Sequence, residues 1–181
     1  MTRRIMVALL CIGGIIVSAS GQSTTPEPTY GTFAFTDTVR LTGSPAEVYE
    51  GITGDITGWW DHSFSQRPFK MFIEAKPGGG FYEIFTPDGD GVLHATVTGA
   101  QRGTMLRFVG PLGLAGHAVD MVTTWTFSPR GADSTSLVLS VSAAGEIREG
   151  LGATVRGVWR HFLVERFIPY WNTKHSSTQS K

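Results

Sequence analysis

The stretch TGWWDHSFS, residues 57–65, sets Asp61 and His62 directly after the adjacent tryptophans Trp59 and Trp60. A carboxylate beside an imidazole is the pair used for proton transfer and for metal ligation. On a helical turn neighbouring side chains point about 100° apart, so Trp59 and Trp60 do not share one interior, nor Asp61 and His62 one ion. The spacing predicts an aromatic lid: one tryptophan enters a cavity, the other lies against its rim, and Asp61 and His62 form a wetted border. A catalytic dyad and ligand recognition by the polar pair are the alternatives. With Phe64, the two tryptophans are the expected ligand-facing residues of this segment.

His94, in GVLHATV, is the main candidate for acid–base work. Strand parity groups it with Val92 and Thr96, and groups Leu93 with Ala95 and Val97, so one face is aliphatic and the other mixed. A mixed face suits the wall of a ligand cavity; a hydrogen-bonded histidine on the outer face is the competing role. Glu74 and Glu83 bracket a glycine turn and could meet across a hairpin as a carboxylate pair. Like charges directly opposite are destabilising, so pairing with an arginine such as Arg107 is expected instead.

Arg166 follows Phe162 by four positions and therefore lies near an apolar stripe. A guanidinium there either anchors a carboxylate or phosphate, or lays its stem on apolar surface with its head in water. His161 and Glu165, also four apart, offer two ligands, which do not make a metal centre, and no metal or cofactor is expected. DGDG, residues 88–91, starts like a calcium loop, but Val92 stands where the next oxygen ligand belongs. KPGGG, residues 76–80, lacks the lysine and hydroxyl that would follow a phosphate loop. Both are hairpin turns.

These residues have to be positioned by recognisable elements. FAFTDTVRL, residues 33–41, alternates as a strand. Ser44, Pro45 and Glu47 then form a capping box for a helix over Pro45–Thr53, and Asp55–Trp60 is expected to add a helical turn. Six strand-like runs follow, Phe69–Ala75, Gly80–Phe85, Val92–Arg102, Met105–Val109, Ala118–Ser128 and Ser134–Ala144, separated by turn residues. Short connections imply an antiparallel meander. In GPLGLAG, residues 110–116, Leu112 and Leu114 sit in a glycine-rich loop, where they cover either an opening or a sheet edge. Trp125 and Phe127 share parity with Val119 and Met121, a face expected to be mostly core and to touch ligand only near the mouth. Beyond Gly145 the period becomes helical: Leu151, Val155, Val158, Trp159 and Phe162 form one stripe of a helix from about Glu149 to Tyr170, with Pro169 near its end.

The fold class is therefore α+β, a helix-grip arrangement in which a curved antiparallel sheet wraps a long C-terminal helix, with short helices after the first strand. Such a sheet and helix leave a tapering space between them.

Several phrases resemble the START-like superfamily, also called SRPBCC or polyketide cyclase/lipid transport. They are SPAEVYEGIT leading into DITGWWD, then IEAKPGGGFYE, GVLHATV, LRFVGPLGLAG, TWTFSP and VWRHFLVERF, which together cover about residues 33–171. Within it the chain is similar to bacterial proteins resembling the activator of the heat-shock chaperone ATPase. The resemblance implies a helix-grip fold with an apolar cavity beneath the last helix. Activity does not follow from it, because the superfamily holds carriers, cyclases, hydrolases and chaperone activators on one scaffold.

Composition narrows the partners. The chain has 181 residues, enough for one core, and 15 Lys plus Arg against 15 Asp plus Glu. No net field draws it to nucleic acid or an anionic membrane. Residues 1–20 read as a signal peptide: Arg3 and Arg4 precede an apolar run from Ile5 to Val17, followed by Ser18, Ala19 and Ser20. That run is shorter than the roughly 20 residues that span a bilayer, so membrane contact is expected only before cleavage. Cys11, the only cysteine, falls inside it, which leaves a mature chain without disulfides, in keeping with a bacterial periplasm. Residues 21–31 read as a flexible leader, 32–172 as the domain and 173–181 as a polar tail.

The expected function is binding or carriage of a hydrophobic or aromatic small molecule, with Trp59, Trp60, Phe64, His94, Leu112, Leu114, Trp125, Trp159, Phe162 and Arg166 as ligand-facing residues. A cyclase- or hydrolase-type enzyme using His94 or a cavity carboxylate is the alternative, and a protein-interaction module the third.

Overall fold

The first strand, β1 (Tyr30–Thr42), pairs along its whole length with the last, β8 (Ser134–Glu146), in the register Tyr30↔Glu146 to Thr42↔Ser134. This computed structural model describes residues 27–179. The expected signal segment, with Cys11, lies outside the described residues, as does most of the expected leader.

After β1 the chain enters α1 (Pro45–Ile52) through the expected capping box: Ser44 Oγ accepts from the Glu47 N–H and the Glu47 carboxylate accepts from the Ser44 N–H. Then follow β2 (Gly54–Asp55), β3 (Lys70–Ile73), β4 (Gly80–Ile84), β5 (Gly91–Gln101), β6 (Met105–Val109), β7 (Val119–Pro129) and β8. All neighbours are antiparallel, and the eight-stranded order is β1-β8-β7-β6-β5-β4-β3-β2. Because β1 and β2 lie at opposite edges, α1 has to cross one face of the sheet, and it packs there on β7 and β8. Val48, Tyr49 and Ile52 are the residues it buries. The expected helical turn at Asp55–Trp60 is shorter than read. Gly54 and Asp55 pair with Ile73 and Phe72, and one turn remains, with the N–H groups of Trp59 and Trp60 both on the Ile56 carbonyl.

The same face is closed by the C-terminal helix, α2 (Leu151–Arg160), a π-helical stretch (His161–Phe167) and α3 (Ile168–Gln179). Two expectations change here. The helix does not end near Tyr170, and it runs on through Gln179 into the residues expected as a tail. The reason is Trp171, which is buried, donates from Nε1 to the Thr42 carbonyl at 2.8 Å, and lies over Gly51. A Cβ on Gly51 would meet the Trp171 ring at 2.3 Å, so only glycine permits this docking. Pro169 does not stop the helix either. In the π stretch the Ile168 N–H reaches five residues back to Leu163, and the widened turn relieves the crowding that a proline ring imposes on the carbonyl four residues before it.

The core lies between sheet and helices, built from Ile52, Ile56, Trp59, Phe81, Phe108, Trp125, Trp159 and Phe167. Burying each such side chain contributes about 1.5–3 kcal/mol or more, which is why a helix interrupted by Gly152 and Gly157 holds.

Candidate functional site

The helix does not fill the space against the sheet. A cavity of about 340 Å³ opens between α2, the β6–β7 connection and the loop after the tryptophan pair. Leu151, Val155, Val158, Trp159 and Phe162 give it one wall, Leu112 and Leu114 another, and Trp60, Phe64 and His94 complete it.

Trp60 is held from several sides. Its ring stacks on Phe162 with centroids 3.7 Å apart, meets Phe81 edge-on at 4.9 Å, and donates from Nε1 to the His62 carbonyl at 2.7 Å. Of the adjacent pair, Trp60 is the one that faces the cavity. Trp59 is not at the rim, as the lid reading expected, but is 1% exposed in the core, edge-on to Phe167 at 5.0 Å. Trp125 is likewise displaced from the expected ligand wall. It is fully buried behind Trp159 and Phe108, and touches core rather than cavity.

Leu112 covers the cavity at a cost. It lies in a single 3-10 turn, Leu112–Leu114, with φ +50°, a left-handed conformation that penalises a branched residue, yet its side chain is buried. Packing over the core and cavity compensates that strain.

His94 reaches the cavity through a bulge. Tyr82 pairs with Leu93 and Phe81 with Ala95, so His94 is an extra residue on β5 with no partner on β4. A bulge of this kind re-aims side chains. Simple alternation therefore fails: His94 and Ala95 are both buried, while Leu93, which parity groups with Ala95 and Val97, is 52% exposed.

Behind His94 stands Glu83, fully buried. Its Oε2 accepts from the Phe64 N–H at 2.9 Å and lies 3.1 Å from His94 Nε2, while its Oε1 accepts from the Ser65 N–H at 2.9 Å and Ser65 Oγ at 2.7 Å. Burial pushes this carboxyl up, but the donors from Phe64, Ser65 and His94 outweigh it and hold it below the ordinary carboxylate value. An ionised Glu83 accepts from His94 Nε2–H, which places a proton on that nitrogen and orients a ring that lines the cavity. The expected pairings of Glu83 were different: Glu74 lies 3.9 Å from Lys76, and Arg107 donates to Thr124 Oγ1. One signal was readable. In GFYEI, Glu83 shares strand parity with Phe81, a charge placed on the core side.

A second polar group gathers at the mouth. Asp61 Oδ1 lies 3.0 Å from His62 Nδ1, and Asp61 Oδ2 lies 2.9 Å from His161 Nε2 and 3.2 Å from Arg166 Nε. Glu165 Oε2 is 2.8 Å from His161 Nδ1. Asp61 and His62 converge, contrary to the helical-turn expectation, because the turn ends at Trp60 and the chain runs on irregularly. Arg166, expected at the ligand, is bound to Asp61 instead and lies off the cavity lining. Partial burial pushes the Asp61 carboxyl up, yet the hydrogen bonds of His62 and His161 and the charges of His161 and Arg166 bring it down overall. His161 is raised, first by its bond to Glu165 and then by Asp61.

No protein-family model matches the chain, and no curated protein matches it in sequence. Solved structures do. The chain is similar to SA2116 from Staphylococcus aureus, a protein of unknown function, with a TM-score of 0.58 and 14% identity over 83% of this chain and 98% of that one. It is similar to CalU16 from Micromonospora echinospora, with a TM-score of 0.53 and 17% identity over 80% of this chain and 82% of that one. A third likeness is to DynU16, a protein in the dynemicin biosynthetic locus, with a TM-score of 0.52 and 22% identity over 78% of this chain and 48% of that one. At these identities the likeness is one of fold, an α+β, helix-grip-like architecture.

Proposed function

We propose that this chain is an exported START-like domain, acting in a bacterial periplasm, that binds or carries an apolar or aromatic small molecule in the cavity beneath its C-terminal helix. The observation that carries this reading is the cavity wall itself, lined by the stacked Trp60 and Phe162 rings together with Val158, Leu112 and Leu114. A magnitude sets what else such a ligand needs. Burial of roughly 250 Å² of its apolar surface gives about 6 kcal/mol before association costs. A micromolar complex needs about 8 kcal/mol net of those costs, so burial of that size alone falls short, and a larger apolar area or a polar contact, for which His94 is placed, has to add the rest. Native mass spectrometry of the protein from its own compartment, before and after denaturation, tests the reading. A discrete small-molecule mass lost on denaturation is expected; a cavity plugged by its own side chains in solution would overturn it.

A second reading rests on Glu83 and His94. A buried carboxylate that orients a cavity histidine is the arrangement of a general base, and proteins on this scaffold include cyclases and hydrolases. Its test is His94→Ala assayed on a confirmed substrate, where unchanged turnover removes the assignment. The third reading, a protein-binding module using Leu112 and Leu114, is less supported, because both side chains line the cavity.

A further inference from the structure

We propose that Asp61, His62 and His161 form a binding site for a divalent first-row transition ion, with Zn²⁺ as its reference member, at the mouth of the cavity. Their ligand atoms lie within 4.8 Å of one another. The separations from Asp61 are 3.0 Å to His62 Nδ1 and 2.9 Å to His161 Nε2. Atoms bonded at about 2.1 Å to one ion stand about 3.0–3.4 Å apart, so the two Asp61 contacts have to open by a few tenths of an ångström, and the two imidazole nitrogens, within 4.8 Å of each other, have to settle in the same range. Two imidazole nitrogens and one carboxylate oxygen favour a borderline ion such as Zn²⁺ over Ca²⁺ or Mg²⁺, which prefer oxygen throughout.

The surroundings of the three residues point the same way. His161 Nδ1 is held by Glu165 at 2.8 Å, the outer carboxylate contact that fixes a ligating histidine's tautomer and leaves Nε2 as the donor to an ion. The π-helical stretch His161–Phe167 makes this grouping possible. In an α-helix residues 161 and 166 would diverge by about 140°, whereas in a π-helix residues five apart stand one turn above each other, so His161 and Arg166 both reach Asp61. Arg166 Nε is bound to Oδ2 and so orients the carboxylate, though its charge opposes that of an ion and sets a limit on affinity. Because His62 also lines the cavity, coordination positions beyond the three protein ligands lie at the cavity mouth, available to water or to an oxygen atom of a bound molecule. The site stands independently of what fills the cavity.

The test is calorimetric titration of the chelator-treated protein with Zn²⁺ alone, followed by visible absorption with Co²⁺, whose spectrum reports ligand number and type. The expected result is one ion per chain, with affinity reduced about tenfold or more in Asp61→Asn and in His161→Gln, and measurably in Glu165→Gln. His117→Gln, which alters an imidazole 3.5 Å from Glu146 elsewhere on the surface, is expected to bind as the parent does. Circular dichroism on each variant separates lost binding from lost fold. Absence of one-to-one binding, or equal losses in His117→Gln and His161→Gln, overturns the proposal.

Discussion

His94 Nε2 lies 3.1 Å from Glu83 Oε2, and the two side chains are buried together at the cavity wall, in a strand where a bulge turns the histidine inward. The carboxylate serves two ends: it orients the imidazole and it ties the loop carrying Phe64 and Ser65 to β4. Removing its charge should therefore affect stability before it affects binding.

Glu83→Gln is expected to cost about 2 kcal/mol, because a neutral amide cannot serve all four donors. Urea denaturation measures it. The pH dependence has a definite sign. The folded value of Glu83 is held below its ordinary value, so on acidification the unfolded chain takes up the proton first. The contribution is complete above the unfolded value and is lost as pH falls through the folded one. Stability of the parent should fall more steeply on the acid side than that of Glu83→Gln; parallel curves would contradict the account.

Thr123, on β7, is 1% exposed and its hydroxyl has no hydrogen-bond partner. Thr123→Val keeps the shape and removes the unsatisfied group, so it is expected to stabilise by about 1 kcal/mol in the same assay. Destabilisation would mean that the hydroxyl has found a partner in solution.

Gly51→Ala would drive a methyl group into Trp171 and is expected to cost about 1–3 kcal/mol. Hydrogen exchange over residues 168–179 should quicken, since Trp171 is what docks α3 on α1 and on the Thr42 carbonyl. Unchanged exchange would place the anchor elsewhere.

Local patterns in the sequence were enough to read most of the fold. Ser44 and Glu47 announced α1, turn residues bounded seven of the eight strands, and the helical stripe from Leu151 to Phe162 supplied the cavity wall. What was missed depends on contacts between distant residues. The bulge at His94 carries no glycine or other local mark, so parity alone grouped Leu93 with the buried Ala95 and Val97. The π turn is visible only once Pro169 and Trp171 are seen inside a continuing helix. Glu83 and His94 are eleven residues apart in sequence, and His161 meets Asp61 across one hundred; no spacing rule joins either pair. Adjacent residues could deceive as well, since Trp59 and Trp60 look alike in sequence, yet one is core and the other cavity wall.

The central claim is that the space beneath the C-terminal helix takes an apolar molecule, and its most direct test is a fluorescence titration with N-phenyl-1-naphthylamine. Val158 lines the cavity from α2, so Val158→Trp fills it, whereas Leu93→Ala alters an exposed side chain outside it. The account predicts saturable one-to-one binding by the parent and by Leu93→Ala, weakened about tenfold or more in Val158→Trp. Absence of saturation, or equal affinity in the parent and in a folded Val158→Trp variant, would contradict it.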